Sequence, residues 1–237
     1  MEIGNLSYTP LEHLRVRRPV DRMRYIVERC RGRRVLDLGC YDETALVKVE
    51  SGDWLHGALA GAAATLLGVD NSPRLPADEL VTGPRSRIIR GDVTQLAAVL
   101  PASFDPEIVV AGELIEHLSD ALSFLRQLKA LFAGRELIAS TPNATSFSNA
   151  MLACLNRENA HPDHLQVFSF KTLNTLCLRA RFVEWEILPY RVFYTEMALR
   201  HRGLRRLTVR AAEALVRGVE TLFPLLAFGL LLHVKRV

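Results

Sequence analysis

Two carboxylates and an imidazole stand close together in the segment Glu113-Leu-Ile-Glu116-His117. Residues three and four positions apart share one face of an α-helix, so these side chains are expected to converge if the segment opens a helix. Carboxylate oxygens and imidazole nitrogens are able to hold a divalent metal ion or to move a proton. The segment is therefore the strongest candidate in the chain for chemistry.

Two more histidines follow in the segment His161-Pro-Asp-His164, ahead of a helix that Ser169 is expected to cap. Each histidine taken alone is more simply explained as a cap or as a hydrogen-bonded surface group. Taken together with the acidic segment, they are predicted to lie at the same site.

The elements that would position these residues alternate along the chain. Short apolar runs predict strands, and segments with helical periodicity separate them. The expected strands are 34–39, 65–70, 87–92, 107–111, 136–141, 182–192 and 228–234, the last two paired, and the expected helices include 54–64, 115–132 and 170–180. A polar loop is expected over 142–168. Buried strands separated by helices are typical of a parallel sheet covered on both faces. We predict an α/β, doubly wound, Rossmann-like sheet of seven strands, mostly parallel, with an antiparallel last strand.

The composition is that of an ordinary folded protein. Of 237 residues, 49% are hydrophobic and 24% are charged, which excludes a disordered tail, a collagen and a small disulfide-rich protein. The four cysteines are scattered without a C-x-x-C pair, so reduced thiols and a cytoplasmic location are expected. We predict a single domain, with an N-terminal helical arm (1–32), a cofactor-binding core (33–141) and an acceptor-side loop, helices and closing strands (142–237).

Positive charge is concentrated at both ends of the chain. Residues 1–34 carry nine basic against four acidic residues, and residues 200–237 carry eight against two. Such ends could attract a phosphate, a nucleic acid or an anionic membrane, although solvated helix faces explain them more simply. The apolar run 222–234 is shorter than the roughly twenty residues that cross a bilayer, and we expect a buried strand there.

Acidic residues are expected at the ends of successive strands, where ligands bind in sheets of this kind. Asp37 and Gly39 close the first strand and Asp70 the second, while Asp92 and Glu113 follow the next two. The sequence has no G-x-x-x-x-G-K-[ST] loop for a nucleoside triphosphate and no G-x-G-x-x-G loop for a dinucleotide. A cationic nucleoside without phosphates is the ligand that fits best.

These segments resemble the successive motifs of class I S-adenosylmethionine-dependent methyltransferases, from about residue 33 to residue 191. The matching segments are 35–40, 68–70, 91–92, 104–105 and 109–113. The resemblance implies that Asp37 and Gly39 lie near the methionine end of the cofactor and that Asp70 binds the ribose hydroxyls. Asp92 with Val93 would hold the adenine.

The resemblance adds further cofactor-binding residues, which are Cys40, Tyr41, Asn71, Ala111 and Glu113. The loop after the first strand departs from the family, because Tyr41 and Asp42 replace its second and third glycines. The loop is therefore expected to lie differently around the cofactor.

The E-x-x-E-H segment, Thr141-Pro-Asn143 and the histidine-rich loop are together similar to two branches of this family. One branch comprises small-molecule O-methyltransferases, and the other comprises small-RNA terminal 2′-O-methyltransferases that hold a divalent metal. The resemblance implies one set of catalytic residues and metal ligands, which comprises Glu113, Glu116, His117 and His164, with His161 as the alternative to His164. Mg²⁺, Mn²⁺ or Fe²⁺ would suit that set better than structural zinc. A metal-free site with His164 as general base is the alternative left open.

We predict an S-adenosylmethionine-dependent O-methyltransferase acting on a small polar acceptor. The expected acceptor is a sugar, such as a deoxy- or aminosugar, or a phenolic hydroxyl in bacterial natural-product (antibiotic) biosynthesis. Neither nucleic acid nor a membrane is expected as a partner, and an oligomer is left open. Two alternatives remain: a metal-dependent RNA terminal 2′-O-methyltransferase, and a non-catalytic cofactor-binding or membrane-docking protein.

Overall fold

Eight strands form one sheet in the computed structural model, which describes residues 6–41, 53–191, 193–194 and 202–237. In chain order the strands are β1 Arg34–Leu38, β2 Thr65–Asp70, β3 Glu79–Gly83, β4 Ser86–Arg90, β5 Ile108–Gly112, β6 Glu136–Pro142, β7 Glu184–Tyr190 and β8 Gly229–Arg236. Across the sheet their order is β3-β4-β2-β1-β5-β6-β8-β7.

The five strands from β4 through β2, β1 and β5 to β6 run parallel. Their carboxyl ends consequently lie at the same edge of the sheet. The chain fills the sheet outward from β1 in both directions, so the crevice of a doubly wound fold is expected above β1. This arrangement confirms the predicted mostly parallel sheet.

Helices cover both faces of the sheet, as predicted. They are α1 Arg22–Cys30, α2 Leu55–Ala60, α3 Leu96–Val99, α4 Ala121–Leu131, α5 Phe147–Cys154, α6 Phe170–Ala180 and α7 Gly203–Leu222. One apolar cluster packs α4 and α6 against the sheet, and a second cluster packs α1 and α2 against the opposite face. Burial of these apolar side chains is the main source of stability.

Side chains that cap the first turn set where several helices begin. Asp21 accepts a hydrogen bond from the backbone N–H of Arg24 at the start of α1, and Asp120 accepts one from Ser123 at the start of α4. Ser169 and Thr172 form a capping box that opens α6. A capping side chain satisfies backbone donors that the helix itself leaves unpaired.

The predicted count of seven strands is wrong, because β3 adds an eighth. Strand β3 pairs antiparallel with β4 at the edge of the sheet, across a tight connection at Pro84 and Arg85. An edge strand is buried on few sides, and no residue of β3 is fully buried. It therefore lacks the apolar run by which the other strands are recognised.

The predicted helix over 115–132 is also wrong at its beginning. The segment Ile115–His117 forms a single 3₁₀ turn, and α4 begins only at Ala121. The intervening Asp120 is an N-cap, so the chain leaves helical geometry before α4 starts. Glu113 precedes the turn with a left-handed backbone, φ +53°. The three polar side chains are thus not arranged by one α-helical face.

The segment 142–168, expected to be a loop, contains the helix α5 Phe147–Cys154. Its N-cap Ser146 is buried and accepts a hydrogen bond from the N–H of Asn149. Only one residue of the helix is buried, so its apolar residues show no strong helical period. That absence is the reason the pattern did not reveal it.

The C-terminal strand β8 lies between β6 and β7 and runs antiparallel to both. It pairs with β7 as predicted, with Leu231 opposite Leu188. The side chains Leu230, Leu231 and Leu232 are fully buried. Among the residues that the structure describes, no helix has both the length and the apolar character needed to cross a membrane.

Candidate active site

The loop after β1 is held above the sheet by its own backbone. Gly39 adopts φ +67°, and a Cβ at this position would lie 2.7 Å from Leu114 Cδ1. A glycine is required here, because other residues disfavour this backbone region and would collide with Leu114. The N–H of Gly39 donates to the carbonyl of Val69, which joins the loop to β2. The loop residues Asp42 and Glu43 lie outside the described residues.

Asp70 lies at the carboxyl end of β2 with its carboxylate turned toward that loop. Oδ2 accepts a hydrogen bond from the N–H of Tyr41 at 2.8 Å, and Oδ1 accepts one from the N–H of Ser72 at 2.8 Å. A carboxylate offers about four acceptor sites, which makes this side chain a suitable partner for ribose hydroxyls. Asn71 follows on the exposed side of the strand end.

The other predicted cofactor residues lie at neighbouring strand ends or beside them. Asp92 caps the 3₁₀ turn Val93–Gln95 by accepting from Thr94, and Val93 is buried. Ala111 is buried within β5, and Cys40 is buried under the loop. These residues surround one edge of the sheet, as the resemblance implies.

Asp37 lies in β1 below this edge, and its carboxylate is buried. Its Oδ2 accepts a hydrogen bond from His56 Nδ1 at 2.9 Å, and both side chains are buried. The second imidazole nitrogen, Nε2, lies 3.0 Å from Thr82 Oγ1. A buried carboxylate needs such a partner, because an unpaired buried charge is costly. His56 was not recognised from the sequence, since a lone histidine in a short helix gives no signal.

Glu116 is the most unusual of the predicted acceptor-side residues. Glu116 is 1% exposed, and neither carboxylate oxygen makes a hydrogen bond of normal geometry to a described residue, although the Thr141 hydroxyl is near enough to favour the ionised form slightly. Burial, followed by the negative charge of Glu113, raises the pKa of Glu116 to about 9. Buried carboxylates are normally hydrogen-bonded, so an unpartnered one indicates a missing ligand or a bound proton.

Two imidazoles lie beside Glu116. Its carboxylate and ring nitrogens of His117 and His164 lie within 4.8 Å of one another. The backbone brings His164 there, because the N–H groups of Leu165 and Gln166 both donate to the carbonyl of Glu116. Burial, then the positive charge that His117 would carry, lowers the pKa of His164. His164 is therefore neutral at pH 7 and able to accept a proton or to bind a cation.

His161 belongs to the same group of rings but lies farther out. Its ring centroid is 6.0 Å from that of His117, whereas the ring of His164 is 4.7 Å from it. His161 also lies 3.7 Å from Asp163 and is half exposed. Of the two alternatives for the last ligand, the geometry favours His164.

Glu113 is held apart from this three-residue group. Its Oε1 accepts hydrogen bonds from Ser140 Oγ and Tyr190 Oη, both at 2.8 Å, and lies 3.8 Å from Arg22 Nε. Arg22 in turn donates to Ser140 Oγ at 2.8 Å. The sequence reasoning missed Arg22, Ser140 and Tyr190, which occupy separate elements. Ser140, a polar residue within the buried run of β6, was the one sign of this contact available in the sequence.

A cavity of about 720 Å³ opens beside Glu113 and Tyr190. Aromatic side chains and arginines line it, including Phe193, Tyr194, Phe228, Arg24 and Arg191. Its size is in the usual range for small-molecule sites. The cavity therefore extends from the candidate catalytic edge into the C-terminal third of the chain.

The comparisons with known proteins point to one family. Residues 11–186 match the family model described as "Methyltransferase domain". A protein of Mycolicibacterium smegmatis named "Probable S-adenosylmethionine-dependent methyltransferase" is 30% identical over 75% of this chain and 63% of its own length. One of Mycobacterium tuberculosis with a similar name is 29% identical over 67% of this chain and 52% of its length. The chain thus spans only about half to two thirds of these curated relatives.

Solved structures support the fold. A SAM-dependent methyltransferase from Archaeoglobus fulgidus superimposes with a TM-score of 0.51 and 16% identity, covering 90% of both chains. The small RNA methyltransferase HEN1 gives a TM-score of 0.56 with 16% identity, over 95% of this chain and 27% of HEN1. At such identity these likenesses show the fold alone. Together with the family match over most of the chain, they establish that this protein belongs to the class I S-adenosylmethionine-dependent methyltransferases.

Proposed function

We propose that the protein transfers a methyl group from S-adenosylmethionine to a hydroxyl of a small acceptor, at the cluster Glu116, His117 and His164. The observation that carries this proposal is the buried Glu116 carboxylate, unpartnered among the described residues and within 4.8 Å of two imidazole nitrogens. A buried group of this kind fits a ligand better than it fits a structural role.

The cofactor would bind along the carboxyl edge of the central strands. Asp70 would accept the ribose hydroxyls, because its carboxylate lies at the carboxyl end of β2 beside the loop after β1. Gly39 would let the loop come close to the cofactor, and Asp92 with Val93 would lie beside its adenine. The methyl group would then face the edge where Glu113 and the histidine cluster lie.

The cluster would prepare the acceptor hydroxyl. A free hydroxyl is a weak nucleophile, and removal of its proton during transfer lowers the barrier. His164 is suited to accept that proton because its lowered pKa keeps the ring neutral at pH 7. The cofactor would supply the methyl group by direct displacement, with S-adenosylhomocysteine as the leaving group, so positioning of the acceptor by this chain would supply much of the remaining rate enhancement.

We also propose that the cluster holds a divalent cation. The donor set, one carboxylate and two imidazoles, suits Mn²⁺ or Fe²⁺. It suits Mg²⁺ less well, because Mg²⁺ prefers a shell made only of oxygen ligands. A bound cation would satisfy the Glu116 carboxylate and lower the pKa of a coordinated hydroxyl. Glu113 would act from outside the cluster, since Ser140 and Tyr190 already engage one of its oxygens.

The cavity supports a cyclic polar acceptor, such as a sugar or a phenol. Aromatic side chains provide flat apolar surfaces for a ring, and the arginines together with Asp21 and Asp53 suit polar substituents. A role in natural-product biosynthesis and a cytoplasmic location remain predictions from the sequence. Methylation of an RNA 3′-terminal ribose is the competing outcome of the experiment below.

The test combines direct metal binding with methyl transfer. Calorimetry of the EDTA-treated protein should detect binding of Mn²⁺, and Glu116→Gln and His164→Asn should each abolish it, whereas His161→Asn should bind within about threefold of wild type. Methyl transfer from labelled S-adenosylmethionine to glycosides, phenols and short RNAs should be lost in EDTA and restored by one cation.

Two results would change the proposal. Full activity in EDTA would remove the metal and leave His164 as general base. Transfer to the RNA in preference to every glycoside and phenol would replace the small acceptor with a ribose terminus.

A further inference from the structure

The long helix α7 turns a row of leucines toward solvent. Leu204, Leu207, Leu215 and Leu222 are 65–76% exposed. With 100° between successive residues, these four positions fall on one narrow face of the helix. The gaps in the row are filled by the small exposed residues Ala211 and Gly218. We call these six positions the leucine ridge.

The leucine ridge has no role in holding α7 to the protein. The opposite face does that, since Glu213, Val216 and Glu220 are the buried residues of the helix. Glu220 Oε1 accepts a hydrogen bond from the N–H of Phe228, just before β8. The ridge is therefore an apolar surface beyond what the packing of this helix requires, and such surfaces mark interaction sites.

The charges of α7 identify what would cover the ridge. The helix carries four arginines, at positions 205, 206, 210 and 217, and both of its acidic residues are buried. Two of the arginines pair with Glu213, and the other two extend from an exposed stretch of the helix. The accessible surface of α7 is thus apolar and cationic, with no accessible carboxylate.

We propose that α7 docks the protein on an anionic lipid bilayer. The leucines would enter the boundary between headgroups and acyl chains, and the arginines would contact anionic headgroups. A second copy of this chain would be a poorer fit, because it would bring arginines next to arginines. A nucleic acid would neutralise the arginines but would leave the leucines without an apolar partner.

This proposal departs from the sequence analysis, which favoured solvated helix faces and expected no membrane partner. The leucines of the apolar run 222–234 that lie in β8 are buried, so the proposed contact lies on α7. The exposed positions of the ridge could be identified only from the structure.

The docking surface is adjacent to the candidate active site. The guanidinium of Arg217 lies 5.0 Å from the ring centroid of Phe193, a residue that lines the cavity beside Glu113. Phe228 also lines the cavity, and its backbone N–H donates a hydrogen bond to Glu220 of α7. An acceptor carried at the bilayer surface would therefore be close to the cavity, although docking itself does not depend on the proposed activity.

The test is flotation of the full chain with vesicles, without cofactor. Vesicles of phosphatidylcholine and of equal parts phosphatidylcholine and phosphatidylglycerol distinguish apolar from anionic binding. The ridge variant carries Leu204→Ser, Leu207→Ser and Leu215→Ser, and its matched control is Val183→Ser, an equally exposed apolar residue outside α7. The charge variant carries Arg205→Gln and Arg206→Gln, which form no ion pair with described residues.

We expect binding to the anionic vesicles only, weakened at least about tenfold in the ridge variant and unchanged in the control. Each arginine removed should weaken binding by about fivefold. Absence of vesicle binding by the wild type would overturn the proposal. So would a dimer, measured by light scattering, that the ridge variant converts to monomer, since a second copy would then cover the ridge. Thermal unfolding of both variants checks that the fold is retained, and the charge variant keeps the test decisive if the ridge variant does not fold.

Discussion

Tyr190 donates its phenolic hydroxyl to Glu113 Oε1 at 2.8 Å, and this contact joins the closing strands to the candidate catalytic edge of the sheet. The ring reaches Glu113 because its partner in the strand register is Gly229. A Cβ at position 229 would lie 2.0 Å from Tyr190 Cζ. Burial, followed by the charge of Glu113, raises the pKa of Tyr190 well above its usual value. The phenol therefore remains a donor across the pH range in which the protein would work.

The variant Gly229→Ala should displace Tyr190 and destabilise the protein by about 2–4 kcal/mol, through steric overlap and loss of a hydrogen bond to a charged group. The three atoms nearest to that Cβ all belong to the Tyr190 phenol. In a Tyr190→Ala background the same change should therefore cost less than about 1 kcal/mol. Urea unfolding of the four proteins measures this coupling. If Gly229→Ala lowered the free energy of unfolding equally in both backgrounds, the close approach of Tyr190 would not explain the need for glycine at position 229.

The variant Asp70→Ala should weaken S-adenosylmethionine binding by at least about tenfold, because hydrogen bonds to a charged group contribute about 1.5–3 kcal/mol each. Calorimetric titration of the cofactor measures the loss. The matched control is Asp105→Ala, since Asp105 pairs with Arg34 and Arg135 near the opposite ends of the strands. Unchanged affinity in Asp70→Ala would remove the ribose assignment.

The central strands were predictable because burial on both faces leaves continuous apolar runs in the sequence. Strand β2, Thr65–Asp70, was predicted with its observed bounds, and the ends of β1, β5 and β6 differ by no more than one residue. The edge strand β3 was missed, because an exposed strand needs few apolar residues. Helix α5 was missed because its apolar residues show no strong helical period.

Residue types pointed to a candidate catalytic edge, but tertiary contacts decide which of its residues lie together. Glu113, Glu116 and His117 were expected to converge on one helical face, and the observed 3₁₀ turn separates Glu113 from the other two. The hydrogen bonds that carry His164 to Glu116 come from backbone atoms, which no side-chain pattern reveals. Similarly, the partners of Glu113 come from α1, β6 and β7, and no short sequence window contains them.

The raised pKa of Glu116 predicts how the metal-free protein responds to pH. The folded-state value of about 9 lies above the ordinary value of 4.5. At pH values between these two, the folded protein therefore holds a proton on Glu116 that the unfolded chain has lost. Stability should fall as pH rises through this window, by up to about 1.4 kcal/mol per pH unit. Thermal melts in EDTA from pH 6 to pH 9 measure the slope.

Glu116→Gln supplies the control for that slope, because glutamine is neutral at every pH and resembles the protonated acid. Its melting temperature should change less with pH than that of the wild type. A wild-type slope equal to that of the glutamine variant would mean that Glu116 is already ionised at neutral pH in the metal-free protein.

The buried pair of His56 and Asp37 should be strongly coupled. His56→Leu removes the partner of a buried carboxylate and should destabilise the protein by about 3–5 kcal/mol, since removal of one member leaves an uncompensated buried charge. Adding Asp37→Asn removes that charge and should recover about 1–3 kcal/mol. Urea unfolding of the wild type, both single variants and the double variant gives the coupling energy. Strictly additive costs would show that the 2.9 Å contact contributes nothing beyond packing, and the carboxylate of Asp37 would then need another partner.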